Sequence, residues 1–173
     1  MLLDLTRYRR PVDSFSRTFQ PGEVGEPDDA YRVVSPVDLA FEIHKDKDKF
    51  RLVGTVKGQL ELACSRCLEP YRMDVDAPFD IRYLPATEAG AEDEREIEEE
   101  DLEVSYYRDD QIDLNELMRE QFYLALPMKP LCGADCKGLC SQCGTNLNTG
   151  SCACAPTWEH PRLAGLKALK RES

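Results

Sequence analysis

Val37, Leu39, Phe41 and Ile43 alternate with Asp38, Ala40 and Glu42, the period of two expected where one face of a strand is buried and the other meets water. A charged turn, Lys45-Asp46-Lys47-Asp48-Lys49, follows. The alternation then returns for longer: Phe50, Leu52, Gly54, Val56, Gly58, Leu60, Leu62 and Cys64 share one parity, and mostly polar residues from Arg51 to Glu61 take the other. Gly54 and Gly58 predict a bend or bulge in this strand. Beyond Cys64-Ser65-Arg66-Cys67-Leu68-Glu69-Pro70, a third run sets Tyr71, Met73, Val75, Ala77, Phe79, Ile81 and Tyr83 against Arg72, Asp74, Asp76, Asp80 and Arg82. Three long antiparallel strands follow, with the Cys-x-x-Cys at a hairpin tip. Leu102, Val104 and Tyr106 supply a further strand.

From Asp113 the period lengthens. Leu114, Leu117, Met118, Gln121, Leu124 and Ala125 follow near-helical spacing, Asp113 with Glu116 has the form of a capping box, and Pro127 stops the helix. Residues 128 to 157 are rich in Cys, Gly, Asn and Thr and poor in large apolar groups, so burial alone cannot fold them. Pro161 suits a first helical position, and Leu163, Leu166 and Leu169 predict a short closing helix. The expected class is α+β: an antiparallel, curved sheet or partial barrel with one main helix over residues 1–126, then a cysteine-rich, metal-binding tail over residues 127–173.

Charge adds a loop to this picture. Residues 88 to 120 hold 15 acidic and 3 basic side chains, a local sum of -12 against -11 for the whole 173-residue chain. Within it, Glu92 to Asp101 is a like-charge block with little to bury, which predicts a solvated, mobile acidic loop at about residues 86–103. Such a loop solubilises, attracts a basic partner, or keeps RNA off one face. Residues 121 to 173 carry 6 basic and 3 acidic residues, a weak basic patch. No apolar run approaches the roughly 18 residues of a membrane span, and the N-terminal segment breaks at Asp4 and turns basic at Arg7. A cytoplasmic protein with no membrane partner is expected.

Eight cysteines in a reducing compartment point to metal before disulfides. They fall as Cys64-x2-Cys67 upstream and Cys132-x3-Cys136-x3-Cys140-x2-Cys143-x8-Cys152-x-Cys154 downstream, enough for two tetrahedral four-thiolate sites. The preferred partition joins Cys140, Cys143, Cys152 and Cys154 in a compact ribbon-like site, with Gly144 taking a positive φ after its turn. Cys64 and Cys67 then share an ion with Cys132 and Cys136, tying the tail to the sheet. A competing partition groups Cys132, Cys136, Cys140 and Cys143. Two structural zinc ions are the expected cofactors, although the spacing is equally ordinary for an iron–sulfur cluster. A thiol redox pair at Cys64 and Cys67 is the alternative chemistry, but this motif lies between alternating strands rather than at the start of a helix.

Other chemistry is scarce. His44 and His160 read as surface residues, Trp158 and Tyr123 as core or as base-stacking aromatics, and no phosphate-cradling Gly-rich loop is present. No catalytic residue or small-molecule substrate is expected.

Cys64-Ser65-Arg66-Cys67-Leu68-Glu69-Pro70, Asp113-Leu114, Leu124-Ala125-Leu126-Pro127, Cys136-Lys137-Gly138-Leu139-Cys140 and Cys143-Gly144-Thr145-Asn146-Leu147-Asn148 resemble, in that order, the bacterial YceD-type family of large ribosomal RNA subunit accumulation proteins. The resemblance runs from about residue 35 to the end, with Ser141 and His160 standing where Pro and Asp are expected. It implies a non-enzymatic role in the synthesis, processing or stability of 23S ribosomal RNA and in large-subunit assembly. Precursor 23S RNA, the assembling subunit, or both are then the partners. Cations supply phosphate affinity, so Arg66, Lys137, Arg162, Lys167, Lys170 and Arg171 are the expected RNA contacts. The alternative is an acidic escort that holds a basic ribosomal protein through residues 92 to 103.

Overall fold

A computed structural model describes residues 1–24, 30–86 and 104–154. Its main sheet is built on three strands, β4 (Val37–Asp46), β5 (Lys49–Ala63) and β6 (Pro70–Pro85), joined as antiparallel hairpins. The predicted alternation is obeyed: Val37, Leu39, Phe41, Ile43, Phe50, Leu52, Val56, Leu60 and Leu62 are all buried, while the opposite parity faces water. An N-terminal strand, β2 (Val12–Phe19), pairs with β4 along its length. The short β3 (Arg32–Val33) takes the edge of β5 beyond the end of β4, where Gln59 donates its N–H to Ser35 Oγ at 2.8 Å.

The strand path runs from β2 through β4 and β5 to β6 with free ends, so the sheet is open, not closed into a barrel, and what is corrected is its expected all-antiparallel pairing. Its last strand, β7 (Val104–Tyr107), joins β6 in parallel rather than antiparallel register, pairing Arg82 with Val104 and Leu84 with Tyr106. Leu102, expected in that strand, lies outside the described residues.

Gly54 and Gly58 do not mark a bulge either, because β5 keeps unbroken register with both neighbours. Gly54 serves close approach instead. Phe15, Phe41, Gly54 and Phe79 occupy one row across four strands. The Phe41 ring stacks on Phe15 at 4.9 Å and reaches over Gly54 to within 6.1 Å of Phe79. A Cβ on Gly54 would strike the Ala40 carbonyl oxygen and Phe41 Cβ.

Helix α1 (Leu114–Ala125) covers the apolar face. Asp113 caps it, its carboxylate accepting from Asn115 N–H at 2.9 Å. A two-stranded ribbon of β1 (Leu2–Asp4) and β8 (Gln111–Asp113) sets the helix entry, and Leu114 N–H bonds Met1 O at 2.9 Å. Leu114, Leu117, Met118 and Gln121 are buried as expected. Leu124 is not: it is 78% exposed, and Phe122 takes the buried position, edge-to-face with Tyr31 at 5.8 Å. Tyr123 packs on the same Tyr31 ring at 5.4 Å. Among the described residues no helix is long and apolar enough to cross a membrane.

After α1 the chain to residue 154 forms turns and one isolated bridge, Leu139 with Asn146. The acidic loop at 87–103 and the closing segment with Trp158, His160 and Pro161 lie outside the described residues.

Candidate metal centre

Antiparallel pairing carries β5 and β6 past the last residue paired with β3, to Ala63 opposite Pro70, and their connection is a six-residue knuckle. Cys64 N–H bonds Glu69 O at 2.9 Å, and Leu68 N–H returns to Cys64 O at 2.9 Å. Closing the turn puts Leu68 at φ 62°, a left-handed conformation uncommon for a residue with a Cβ. The turn presents Cys64 and Cys67 side by side. The tail crosses this tip, where Ser65 N–H bonds Pro130 O at 2.8 Å and brings Cys132 and Cys136 to the pair.

The result is a four-thiol cluster. Cys64 Sγ lies 3.7 Å from Cys136 Sγ, and Cys67 Sγ 3.7 Å from Cys132 Sγ. Disulfide sulfurs sit about 2 Å apart, whereas four sulfurs at about 2.3 Å from a zinc ion define a tetrahedron with edges of about 3.8 Å. Cys64, Cys67 and Cys136 are buried, with Leu131, Leu139 and Tyr71 against them.

The second cluster repeats the knuckle. Cys140 N–H bonds Thr145 O at 2.8 Å, Gly144 N–H returns to Cys140 O at 2.9 Å, and Gly144 has φ 73°. Here glycine occupies the left-handed position that Leu68 fills upstream. Cys140 and Cys143 meet Cys152 and Cys154, all four sulfurs lying within 4.8 Å of one another, as in the first cluster. This cluster is the more exposed, with Cys143 and Cys154 open to solvent. The thiols therefore gather as the preferred partition groups them, and not as Cys132, Cys136, Cys140 and Cys143.

Electrostatics suit anionic sulfur. Backbone N–H groups aimed at Cys64, foremost that of Cys67, pull its thiol down to about 6. At Cys143 the Thr145 hydroxyl and N–H pull the thiol to about 6 as well. The neighbouring thiols push Cys132 up to about 12, and Cys143 does the same to Cys154. Four sulfurs this close cannot all ionise unless a cation shares their charge. A soft divalent ion such as zinc fits each all-thiolate set, which leaves no protein-free coordination position.

Around the ligands, Asn148 donates from Nδ2 to Cys136 Sγ at 3.3 Å and accepts Lys137 N–H at 2.7 Å through Oδ1. Asn146 Oδ1 accepts Asn148 N–H at 3.0 Å, and Asn146 Nδ2 stands 3.4 Å from Glu69 of the hairpin. These two asparagines join one cluster to the other. Sequence reading assigned them no role; the signal was two short amides spaced by one residue just beyond a Cys-x-x-Cys-Gly knuckle.

Of the expected RNA contacts, Arg66 is exposed but donates to Cys136 O at 2.9 Å, and its own carbonyl accepts Leu139 N–H at 3.1 Å. Gly138, at φ 75°, lets the tail pass, since a Cβ there would stand 3.0 Å from Arg66 O. Arg66 is thus a strap across the tip as well as a surface cation. Lys137 is exposed beside it. Arg162, Lys167, Lys170 and Arg171 lie outside the described residues.

Comparison with known proteins fits this geometry. The family model described as large ribosomal RNA subunit accumulation protein YceD matches residues 52–170, from β5 through both cysteine clusters. The chain is 28% identical over 159 residues to the chloroplastic YCED homolog 1 of Zea mays, covering 79% of this chain and 53% of that protein. It thus spans about half the length of the maize relative. It is 33% identical over 151 residues to an uncharacterized protein of Mycobacterium tuberculosis, covering 85% and 70%. With YlbN of Bacillus subtilis it shares 27% over 159 residues, covering 91% and 88%. No solved structure matches the chain. By these matches the chain belongs to the YceD family of large ribosomal RNA subunit accumulation proteins.

Proposed function

We propose that this protein is a non-enzymatic factor for the accumulation of 23S ribosomal RNA, acting in its synthesis, processing or stability during assembly of the large subunit. Family membership supports the reading, because the family model and two chloroplastic relatives carry accumulation of the large ribosomal RNA subunit in their names. The chemistry of the described residues supports it: thiols gathered in two fours suit structural zinc rather than turnover. In this reading one ion clamps Cys132 and Cys136 to the hairpin tip, and the second shapes the ribbon at Cys140 to Cys154. The clamp presents Arg66 and Lys137 to RNA or to an assembling particle in the cytoplasm.

The local charge of -12 over residues 88 to 120 favours a second reading, an escort for a basic ribosomal protein. Depletion of the protein, followed by measurement of the 23S-to-16S ratio with precursor ends mapped, tests the first reading. A selective fall in 23S is expected, and a normal ratio with normal ends overturns it. Deleting Glu92 to Asp101 tests the second, through recovery of a basic ribosomal protein at low salt.

A further inference from the structure

The parallel pair of β6 and β7 and the first turns of α1 leave a pocket of about 420 Å3 between them. Tyr83 of β6, Tyr106 of β7 and Glu116 and Glu120 of α1 stand on its walls. Tyr83 is 5% exposed, yet its hydroxyl has no hydrogen-bond partner among the described residues. A buried hydroxyl is costly to leave unpaired, so one that borders a pocket marks where a ligand's polar group belongs. Burial foremost, and then the charges of Glu120 and Glu116, push its phenol well above the ordinary range, which sets the hydroxyl in the field of those two carboxylates.

Glu116 and Glu120 lie one turn apart on the same face of α1, where like charges repel. No ion pair joins either to another described residue, and both are open to solvent. Partial desolvation, and then the charge of Glu116, raise the Glu120 carboxyl against the pull of Arg119. Asp113 also lines the pocket but is engaged: it caps α1 and holds the Met1 ammonium at 3.2 Å. Arg108 is the one cation among the lining residues, and it forms no ion pair with either glutamate. Two carboxylates and a phenol oxygen are thus left as acceptors, and a cation rich in donors satisfies all three.

We propose that this pocket receives an arginine side chain of a basic protein. A guanidinium carries five donors in a flat fork, enough for both carboxylates and the Tyr83 oxygen. The half-exposed Tyr106 ring gives that plane a face to stack on, and the exposed Leu2 gives the aliphatic stem an apolar wall. A divalent ion suits the pocket less, since it draws on about six or more oxygens and gains nothing from the ring. Charge favours a protein over nucleic acid: residues 88 to 120, which include β7 and both glutamates, sum to -12 and repel phosphate.

This inference rests on the escort reading above. Its test uses the full zinc-loaded chain and fluorescein-labelled nona-arginine, with nona-lysine for comparison, by anisotropy at 150 mM salt. Glu116→Gln with Glu120→Gln is expected to weaken nona-arginine by about tenfold or more and to erase the parent's preference for it over nona-lysine. Tyr83→Phe is expected to weaken nona-arginine by about threefold with thermal melting unchanged or raised, since only an unpartnered hydroxyl is removed. Arg108→Ala should leave binding unchanged or tighten it. Equal affinity of the double glutamine variant and the parent overturns the proposal, and so does an equal loss of both peptides. A marked fall in melting of Tyr83→Phe overturns it by showing the hydroxyl already bonded, and weaker binding by Arg108→Ala overturns it by giving the contact to an anion. Displacement of the peptide by magnesium, beyond that caused by sodium chloride at matched ionic strength, reassigns the pocket to a divalent ion. Recovery of a basic ribosomal protein at low salt separates the pocket from the reading beneath it. Recovery that survives the glutamine substitutions but not deletion of Glu92 to Asp101 removes the pocket and keeps the escort, whereas no recovery by the parent chain removes the escort itself.

Discussion

Asn148 gives its side-chain N–H to Cys136 Sγ at 3.3 Å, so a residue from the loop of the second cysteine cluster supports a ligand of the first. The same amide accepts Lys137 N–H and leans on Asn146, which faces Glu69 of the hairpin. The bond lowers the Cys136 thiol from its ordinary range by stabilising the anionic sulfur that a metal requires. Asn148→Ala is expected to lower zinc affinity at the Cys64, Cys67, Cys132 and Cys136 site by about 10- to 100-fold, the usual effect of losing a ligand's hydrogen-bond partner. Competition with a chromophoric chelator reads this directly. Equal affinities in variant and parent would show that the bond is incidental.

The two clusters differ in burial, and chelation should resolve them. Cys64, Cys67 and Cys136 are 0%, 3% and 7% exposed, whereas Cys143 and Cys154 are open to solvent. Two zinc ions per chain are expected by native mass spectrometry, with the ion at Cys140, Cys143, Cys152 and Cys154 leaving first. Cys152→Ser should drop the count to one and leave the tail attached. Cys64→Ser should also lose one ion, but free the tail for limited proteolysis between residues 127 and 136.

Gly54 sits beneath the Phe41 ring with no room for a methyl group. Gly54→Ala must push β4 away or tilt Phe41 off Phe79, an overpacking cost of about 1–3 kcal/mol. At roughly 2–4 °C per kcal/mol for a domain of this size, melting should fall by about 2–12 °C. Gly58, whose added Cβ would come no closer than 3.2 Å to any neighbour, Val37 Cγ2, should tolerate alanine better. Reversal of that order in thermal melts would contradict the packing described.

Leu68 holds a left-handed φ of 62° and is 65% exposed, while Gly144 holds the same place in the other knuckle. The left-handed region costs a residue with a Cβ about 1–2 kcal/mol, partly offset by the greater freedom of glycine when unfolded. Leu68→Gly is therefore expected to leave stability unchanged or raise it by up to about 1 kcal/mol in urea melts. A clear loss would mean that the exposed leucine packs on something outside the described residues.

Much of this architecture was legible in the chain. The period of two placed β4, β5 and β6 to within three residues at their ends, because strands with one buried face declare themselves. The cysteine spacing alone favoured the two groups of four in which the sulfurs lie. Other elements had no local signal. β2 is an edge strand whose inward parity holds Phe15 and Phe19 but also Arg17, and β1 is three residues that matter only through pairing with β8. β7 returns parallel after a long acidic connection, and strand direction is not written in four residues. On α1, Phe122 and Leu124 lie about 80° to either side of Leu114 at 100° per residue, so helical periodicity could not choose between them. Tyr31, more than 90 residues upstream, makes the choice by covering Phe122. Asn146 and Asn148 escaped notice because their roles depend on the first cluster being brought across from the hairpin.

We propose that a metal clamp between the hairpin and the tail underlies accumulation of large-subunit RNA. The most direct measurement is the 23S-to-16S ratio in depleted cells supplied with either the parent chain or Cys64→Ser at matched protein level. On this proposal the parent chain restores the ratio and Cys64→Ser leaves it low. Full restoration by Cys64→Ser, or a ratio that never fell on depletion, would contradict it.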